Sequence, residues 1–144
     1  MKLSTKCRYG ARAMLEIARR YEKGPVKRKY ISHAQDISHA YLENILIALK
    51  SFKLIRTTRG ANGGFVLETE PSTINLYQIV TALEGSIAPV ECLDNNALCG
   101  RFDRCVTRKA WKKLYDAEIG ALTSVTLQDL LDMENEKGEM TYSI

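Results

Sequence analysis

Cys92, Cys99 and Cys105 stand within fourteen positions of one polar stretch, ECLDNNALCGRFDRC, and the other 130 residues hold only Cys7. Thiolates this close can share a soft metal ion or an iron–sulfur cluster, or can form a thiol-oxidation switch or a zinc site. Packing alone is a poor account of three thiols in one polar loop. The second chemical feature is charge. Residues 1–66 carry 14 Lys/Arg against four Asp/Glu, whereas residues 67–144 carry seven against 13. A basic N-terminal half suits a polyanion, most commonly nucleic acid, although charge alone also allows a solvated basic surface.

Other chemistries find little support. No Ser/His/Asp or paired-carboxylate constellation is present, so no enzyme is expected. The GANGG run precedes a strand-like segment rather than a helix and lacks the context of a phosphate-binding loop. His33 and His39 are the only histidines and make poor metal-ligand candidates.

The elements that must position these residues follow from periodicity. The chain has 144 residues, enough for one domain with a real core or a compact domain with an appended helix. No apolar run approaches the roughly 20 residues of a membrane span. Arg12, Glu16 and Arg19 interrupt what would be a signal peptide's apolar segment. A cytoplasmic location with reduced thiols is therefore expected.

Residues 4 to about 22 read as an amphipathic helix, with Ala11, Met14, Leu15 and Ala18 on one face and Gly24-Pro25 after it. A short helix over 30–35, a turn at Asp36-Ile37 and a helix capped by Ser38 match a helix-turn-helix. The third helix should bury Leu42, Ile45, Leu46 and Leu49. Residues 54–58 and 65–67 are strand-like, and Gly60, Gly63 and Gly64 allow a hairpin tip between them. Asn75 and Gln78 resemble a capping box before LYQIVTALEG.

A helix from Cys105 to about Leu122 places Trp111, Leu114 and Tyr115 on one side, large enough to predict a dimerisation helix. Packing on its own domain is the alternative. Thr126 opens a short terminal helix with Leu127, Leu130 and Leu131, and the polar chain from Glu134 reads as a loose tail.

The predicted fold class is thus mainly α with a small β-hairpin: a winged helix-turn-helix plus a long C-terminal dimerisation helix. Its expected divisions are a DNA-binding domain over 1–84, a cysteine-rich loop over 85–104, helices over 105–132 and a flexible tail over 133–144.

MKLSTKCRYGARAMLEIA, ISHAQDISHAYLENIL, IRTTRGANGGFVL and INLYQIVTALEG together resemble the bacterial IscR/NsrR/CymR/RirA-type family of winged-helix transcriptional regulators. The likeness spans about residues 1–130, with its segments in family order. It implies a dimeric transcription factor in which, in several branches, a three-cysteine loop holds a cluster that tunes DNA binding. Cys92, Cys99 and Cys105 are the implied ligands of a 2Fe–2S or 4Fe–4S cluster. This loop is one residue longer than the IscR pattern, and Arg108 stands where IscR-like members have a histidine ligand. A guanidinium cannot ligate iron. Cys7 of a partner subunit is one candidate fourth ligand; Glu91, Asp94, Asp103, a small thiol or water are others, and Cys7 can equally be a buried helix residue.

For DNA, a recognition helix presents its N-terminal residues to base edges, here Ser38, His39, Tyr41, Glu43 and Asn44. Asn44 would suit adenine; Glu43 would accept from cytosine or repel phosphates. Each can also be simply solvent-facing. Arg56, Arg59 and Gly60 lie on the wing, where Arg59 suits a narrow minor groove. Lys2, Lys6, Arg8, Lys27, Arg28, Lys50 and Lys53 are phosphate candidates as a group.

The leading expectation is a homodimeric repressor that binds a near-palindromic duplex under control of an iron–sulfur cluster. A regulator with a thiol-oxidation or zinc switch is the alternative. An iron–sulfur carrier or redox protein with a protein partner is a further one, which has no need of a basic hairpin.

Overall fold

Side-chain caps set where the main helices begin. In the computed structural model, which describes residues 1–142 and side chains through residue 138, Ser4 Oγ accepts from the Cys7 N–H at 3.0 Å and opens α1 (Thr5–Ala18). After α2 (Arg28–Gln35), Asp36 adopts a left-handed φ of 52° and turns the chain. Ser38 Oγ then accepts from the Tyr41 N–H at 3.3 Å to open α3 (His39–Ser51). Each cap occupies an N–H that a helix start leaves unpaired, worth about 1 kcal/mol.

The three helices close on one apolar centre. α1 contributes Ala13, Met14 and Ile17; α2 and its turn contribute Ile31 and Ile37; α3 contributes Leu42, Ile45, Leu46 and Leu49, all buried. The strands β1 (Ile55–Thr58) and β2 (Gly64–Leu67) pair antiparallel, with Ile55 opposite Leu67 and Thr58 opposite Gly64. Val26 extends this hairpin by exchanging hydrogen bonds with Phe65 at 2.8 and 2.9 Å. Gly64 makes that contact possible, since a Cβ there would stand 2.6 Å from the Val26 carbonyl oxygen.

The reciprocal Asn75–Gln78 capping box, with bonds of 2.8 and 3.0 Å, opens α4 (Leu76–Glu84). α4 crosses α1 closely at Gly10, where a Cβ would fall 2.1 Å from Leu83. Residues 85–105 form a loop containing two single 3₁₀ turns, Glu91–Leu93 and Asn96–Leu98. The 18-residue helix α5 (Val106–Thr123) follows and buries no side chain. α6 (Leu127–Tyr142) returns to the winged helix: Leu127 donates to the Ile74 carbonyl at 2.9 Å and joins the core.

Three boundaries differ from expectation. α1 stops at Ala18 rather than near 22, because Glu22 and Gly24 take positive φ and swing Val26 alongside Phe65. α2 begins at Arg28, two positions before the expected start. α6 continues well past 132, so the expected division between helix and tail falls inside a helix. Its second half lacks an apolar stripe, but Glu134 pairs with Arg19 of α1, and Glu and Lys are good helix formers. Ser143 and Ile144 lie outside the described residues.

Candidate DNA-binding face and cysteine loop

The outer face of α3 is held by contacts behind it. Arg12 of α1 donates to the Gln35 side chain at 2.7 Å and to the Gln35 carbonyl at 2.6 Å. Gln35 in turn donates to the buried Glu16, which also pairs with Arg19. The Arg12 guanidinium lies 5.1 Å from the centre of the Tyr9 ring, and Tyr9 meets Tyr41 edge-on at 5.9 Å. This chain fixes α2 against α1 and orients Tyr41 at the start of α3. No spacing signal in the sequence announced it, since it joins residues from separate helices.

Ser38, His39, Tyr41, Glu43 and Asn44 are all exposed on α3 or at its cap. Ser38 is engaged as the cap, and Glu43 pairs with Arg28 at 3.0 Å, so its carboxylate is not an isolated negative charge. On the hairpin, Arg56 and Arg59 are exposed, and Gly60 at φ 106° begins the turn closed by the Gly63 N–H to the Gly60 carbonyl at 3.0 Å. Of the phosphate candidates, Lys6 is half-buried and the other six are exposed.

The cysteine loop is built differently. All four cysteines are free; Cys99 is exposed, and Cys92 and Cys105 are half-buried. Arg108 binds the loop to α5: its guanidinium lies 4.2 Å from the centre of the Phe102 ring and donates to Asn96 at 3.1 Å and to the Cys92 carbonyl at 3.4 Å. Cys105 occupies the N-cap position of α5, its sulfur 3.3 Å from the Thr107 hydroxyl. That hydroxyl first, then the N–H groups of the helix start, hold the Cys105 thiol below its ordinary range. Ser86 bonds Asp94 across the loop.

Cys7 is set apart from the loop thiols by burial. It is 1% exposed on α1, facing α4. Burial first, then the Glu84 carboxylate, pushes its thiol up to about 11. A protonated, enclosed thiol is not presented to a partner subunit, which weighs against the cross-subunit ligand.

Three loop thiols have the right chemistry for iron, but their arrangement here does not assemble a ligand set. Among the described residues no three His, Cys, Asp or Glu side chains lie close enough to hold a metal ion. Arg108 places a cation in the loop instead.

α5 offers Trp111 and Leu114, 43% and 45% exposed, on a face with no cover in one chain. Tyr115, expected beside them, is half-buried; burial and the neighbouring Tyr77 of α4 raise its phenol.

The comparisons with known proteins agree with this geometry. The chain is 38% identical over 130 residues to the HTH-type transcriptional regulator CymR of Bacillus subtilis, covering 90% of this chain and 89% of that one. It is 34% identical over 132 residues to the regulator IscR of Photorhabdus laumondii, covering 92% and 80%. Among solved structures, CymR, the global cysteine regulator of B. subtilis, aligns with a TM-score of 0.77 at 37% identity over 92% of this chain and 98% of that one. T. potens IscR aligns at 0.78 and 35% over 95% and 90%. An oxidized form of Staphylococcus aureus CymR aligns at 0.70 and 31% over 90% and 95%. These relatives are winged-helix transcriptional regulators, not enzymes. Residues 3–133 match the Rrf2 profile, described as an iron-dependent transcriptional regulator, and the chain belongs to the Rrf2 family.

Proposed function

We propose that this chain is a homodimeric, cytoplasmic repressor that binds a near-palindromic operator and adjusts that binding through the thiols of its cysteine loop. The observation that carries the DNA-binding part is the pairing of an exposed α3 outer face with a wing that projects Arg56 and Arg59. α3 enters the major groove with Ser38, His39, Tyr41, Glu43 and Asn44, and Arg59 with Gly60 reaches the adjacent minor groove. The uncovered Trp111–Leu114 face of α5 supports a two-fold dimer, and a dimer of such modules calls for two half-sites.

For the sensor, the geometry favours thiol chemistry. Cys99 is exposed and Cys105 has a depressed thiol, the conditions for reaction with a peroxide-class oxidant. Two loop thiols and one peroxide would yield one disulfide and two waters, with the thiols oxidised and the peroxide reduced. The second reading, an iron–sulfur cluster on Cys92, Cys99 and Cys105, is favoured by the donor set and by the likeness to IscR. It requires the loop to rearrange around Arg108.

One preparation tests both parts. Protein purified without oxygen should bind selected duplexes with an affinity that falls steeply as salt rises, and Arg59→Ala should weaken that binding strongly. Salt-independent binding would remove the DNA reading. Colourless protein whose DNA affinity changes reversibly with peroxide and dithiol supports the thiol switch. Brown protein containing stoichiometric iron and sulfide supports the cluster and overturns the switch.

A further inference from the structure

We propose that Ile47 reads a thymine methyl group, adding an apolar, specificity-determining contact to the recognition helix; this rests on the DNA-binding reading of α3. α3 buries Leu42, Ile45, Leu46 and Leu49, and at the centre of its opposite face Ile47 is 60% exposed. A β-branched side chain there gains nothing in helix propensity over alanine or a long polar residue, and it keeps a large aliphatic group in water. That exposed aliphatic surface is free to be buried by a bound partner, at a gain proportional to the area covered.

Ile47 borders a shallow depression of about 140 Å³ between α3 and the hairpin, with Leu46 and Phe65 as its apolar lining and Arg28, Glu43 and Lys50 at its rim. Charge complementarity identifies the occupant. Arg28 and Lys50 flank the depression, Lys53 and Arg59 continue the basic surface onto the wing, and Arg28 already neutralises Glu43 at 3.0 Å. A duplex fits that surface, and in its major groove the apolar group displayed by a base edge is the thymine C5-methyl.

The register follows from helix geometry. Asn44, Glu43 and Ile47 share one face, with Ile47 about 4.5 Å along the axis from Asn44. Stacked bases repeat about every 3.4 Å. The thymine read by Ile47 therefore lies one or two base pairs from the position read by Asn44.

The test uses the full chain and duplexes selected from a random pool. Each thymine of the selected duplex is replaced in turn by deoxyuridine, which lacks only the methyl group. In the wild type, replacement at one position in a single half-site should weaken binding about fourfold, and about fifteenfold when the matching position is changed in both half-sites, the value of one or two buried methyl groups. Ile47→Ser should lose that sensitivity while keeping its thermal midpoint, its salt dependence and its preferences elsewhere. Ile47→Val, which retains an apolar tip, should keep most of it. A sequence-selective wild type indifferent to every deoxyuridine, or an Ile47→Ser variant as sensitive as the wild type, overturns the Ile47 contact and leaves the DNA reading standing. A wild type that selects no duplex overturns both.

Discussion

Between Thr5 and Leu83 every long helix buries a continuous stripe, whereas between Leu83 and Leu127 no residue is buried. The first region satisfies itself: side-chain caps occupy the starts of α1, α3 and α4, and its apolar side chains meet one another. The second contains an 18-residue helix standing largely on the surface, with Trp111 and Leu114 open to water. Helices in water owe most of their stability to packing of an apolar face, and this exposed face is the one assigned to the proposed dimer. The contrast separates a winged-helix unit whose apolar side chains are covered within one chain from a loop and helix whose side chains are left largely open.

The largest expected effect breaks the first region. Leu42→Ala removes a fully buried side chain at the centre of α3 and should lower stability by about 2–5 kcal/mol in denaturant unfolding. Cys99→Ser, at an exposed position, should leave unfolding within about 0.5 kcal/mol, and Cys92→Ser and Cys105→Ser, at half-buried positions outside the core, should each cost less than about 1 kcal/mol. Comparable losses in the two sets would mean that the loop is part of the core.

Next in size is the open face of α5. Trp111→Glu should convert dimer to monomer by light scattering and reduce operator binding more than about tenfold, since a dimer engages two half-sites together. Far-ultraviolet circular dichroism should stay unchanged. An intact dimer would place the interface elsewhere.

Most of the first region was legible in the sequence. The stripe of Leu42, Ile45, Leu46 and Leu49, the Ser38 cap and the Asn75–Gln78 box are local patterns, and local patterns survive folding when core and cap agree. What escaped depended on distant partners. The end of α1 answers to the Val26–Phe65 bridge, and α6 is tied back to α1 at Glu134 by Arg19, neither of which has a sequence period. At the site, cysteine spacing pointed to the loop, but it could not tell that Cys7 faces inward or that Arg108 organises the loop. Arg108 carried one signal, its departure from the histidine of the resembling pattern.

The third prediction sharpens the contrast between the enclosed thiol and the loop thiols. Cys7 is raised to about 11 in the folded chain, whereas an unfolded cysteine titrates near 8.5. As pH rises through this window the unfolded state loses its proton first, so the native state binds more protons and stability falls. The Cys7 contribution is fully present below about pH 8 and is lost toward pH 11, at no more than about 1.4 kcal/mol per pH unit. Urea midpoints measured from pH 8 to 11 should therefore decline faster in the wild type than in Cys7→Ala. Parallel profiles would mean that Cys7 is open to solvent and available as a ligand after all.

The smallest expected effect lies inside the loop. Arg108 fastens the loop by stacking on Phe102 and by bonding Asn96 and the Cys92 carbonyl. Arg108→Gln removes the stack and shortens the reach, so the segment around Cys92 should open while the winged helix remains intact. Maleimide labelling followed by peptide mass analysis should show Cys92 reacting about two- to fivefold faster, in keeping with the roughly 0.5–1 kcal/mol of a stacked, partly exposed cation. Cys99 is already exposed and should not change. Cys105 should slow only slightly, because the Thr107 hydroxyl contributes more than the Arg108 charge to holding its thiol down; Thr107→Val should slow it more. An unchanged Cys92 rate would show that the loop is held by its own turns. A loss of stability on the scale of Leu42→Ala would join the two regions into one cooperative unit and remove the distinction between them.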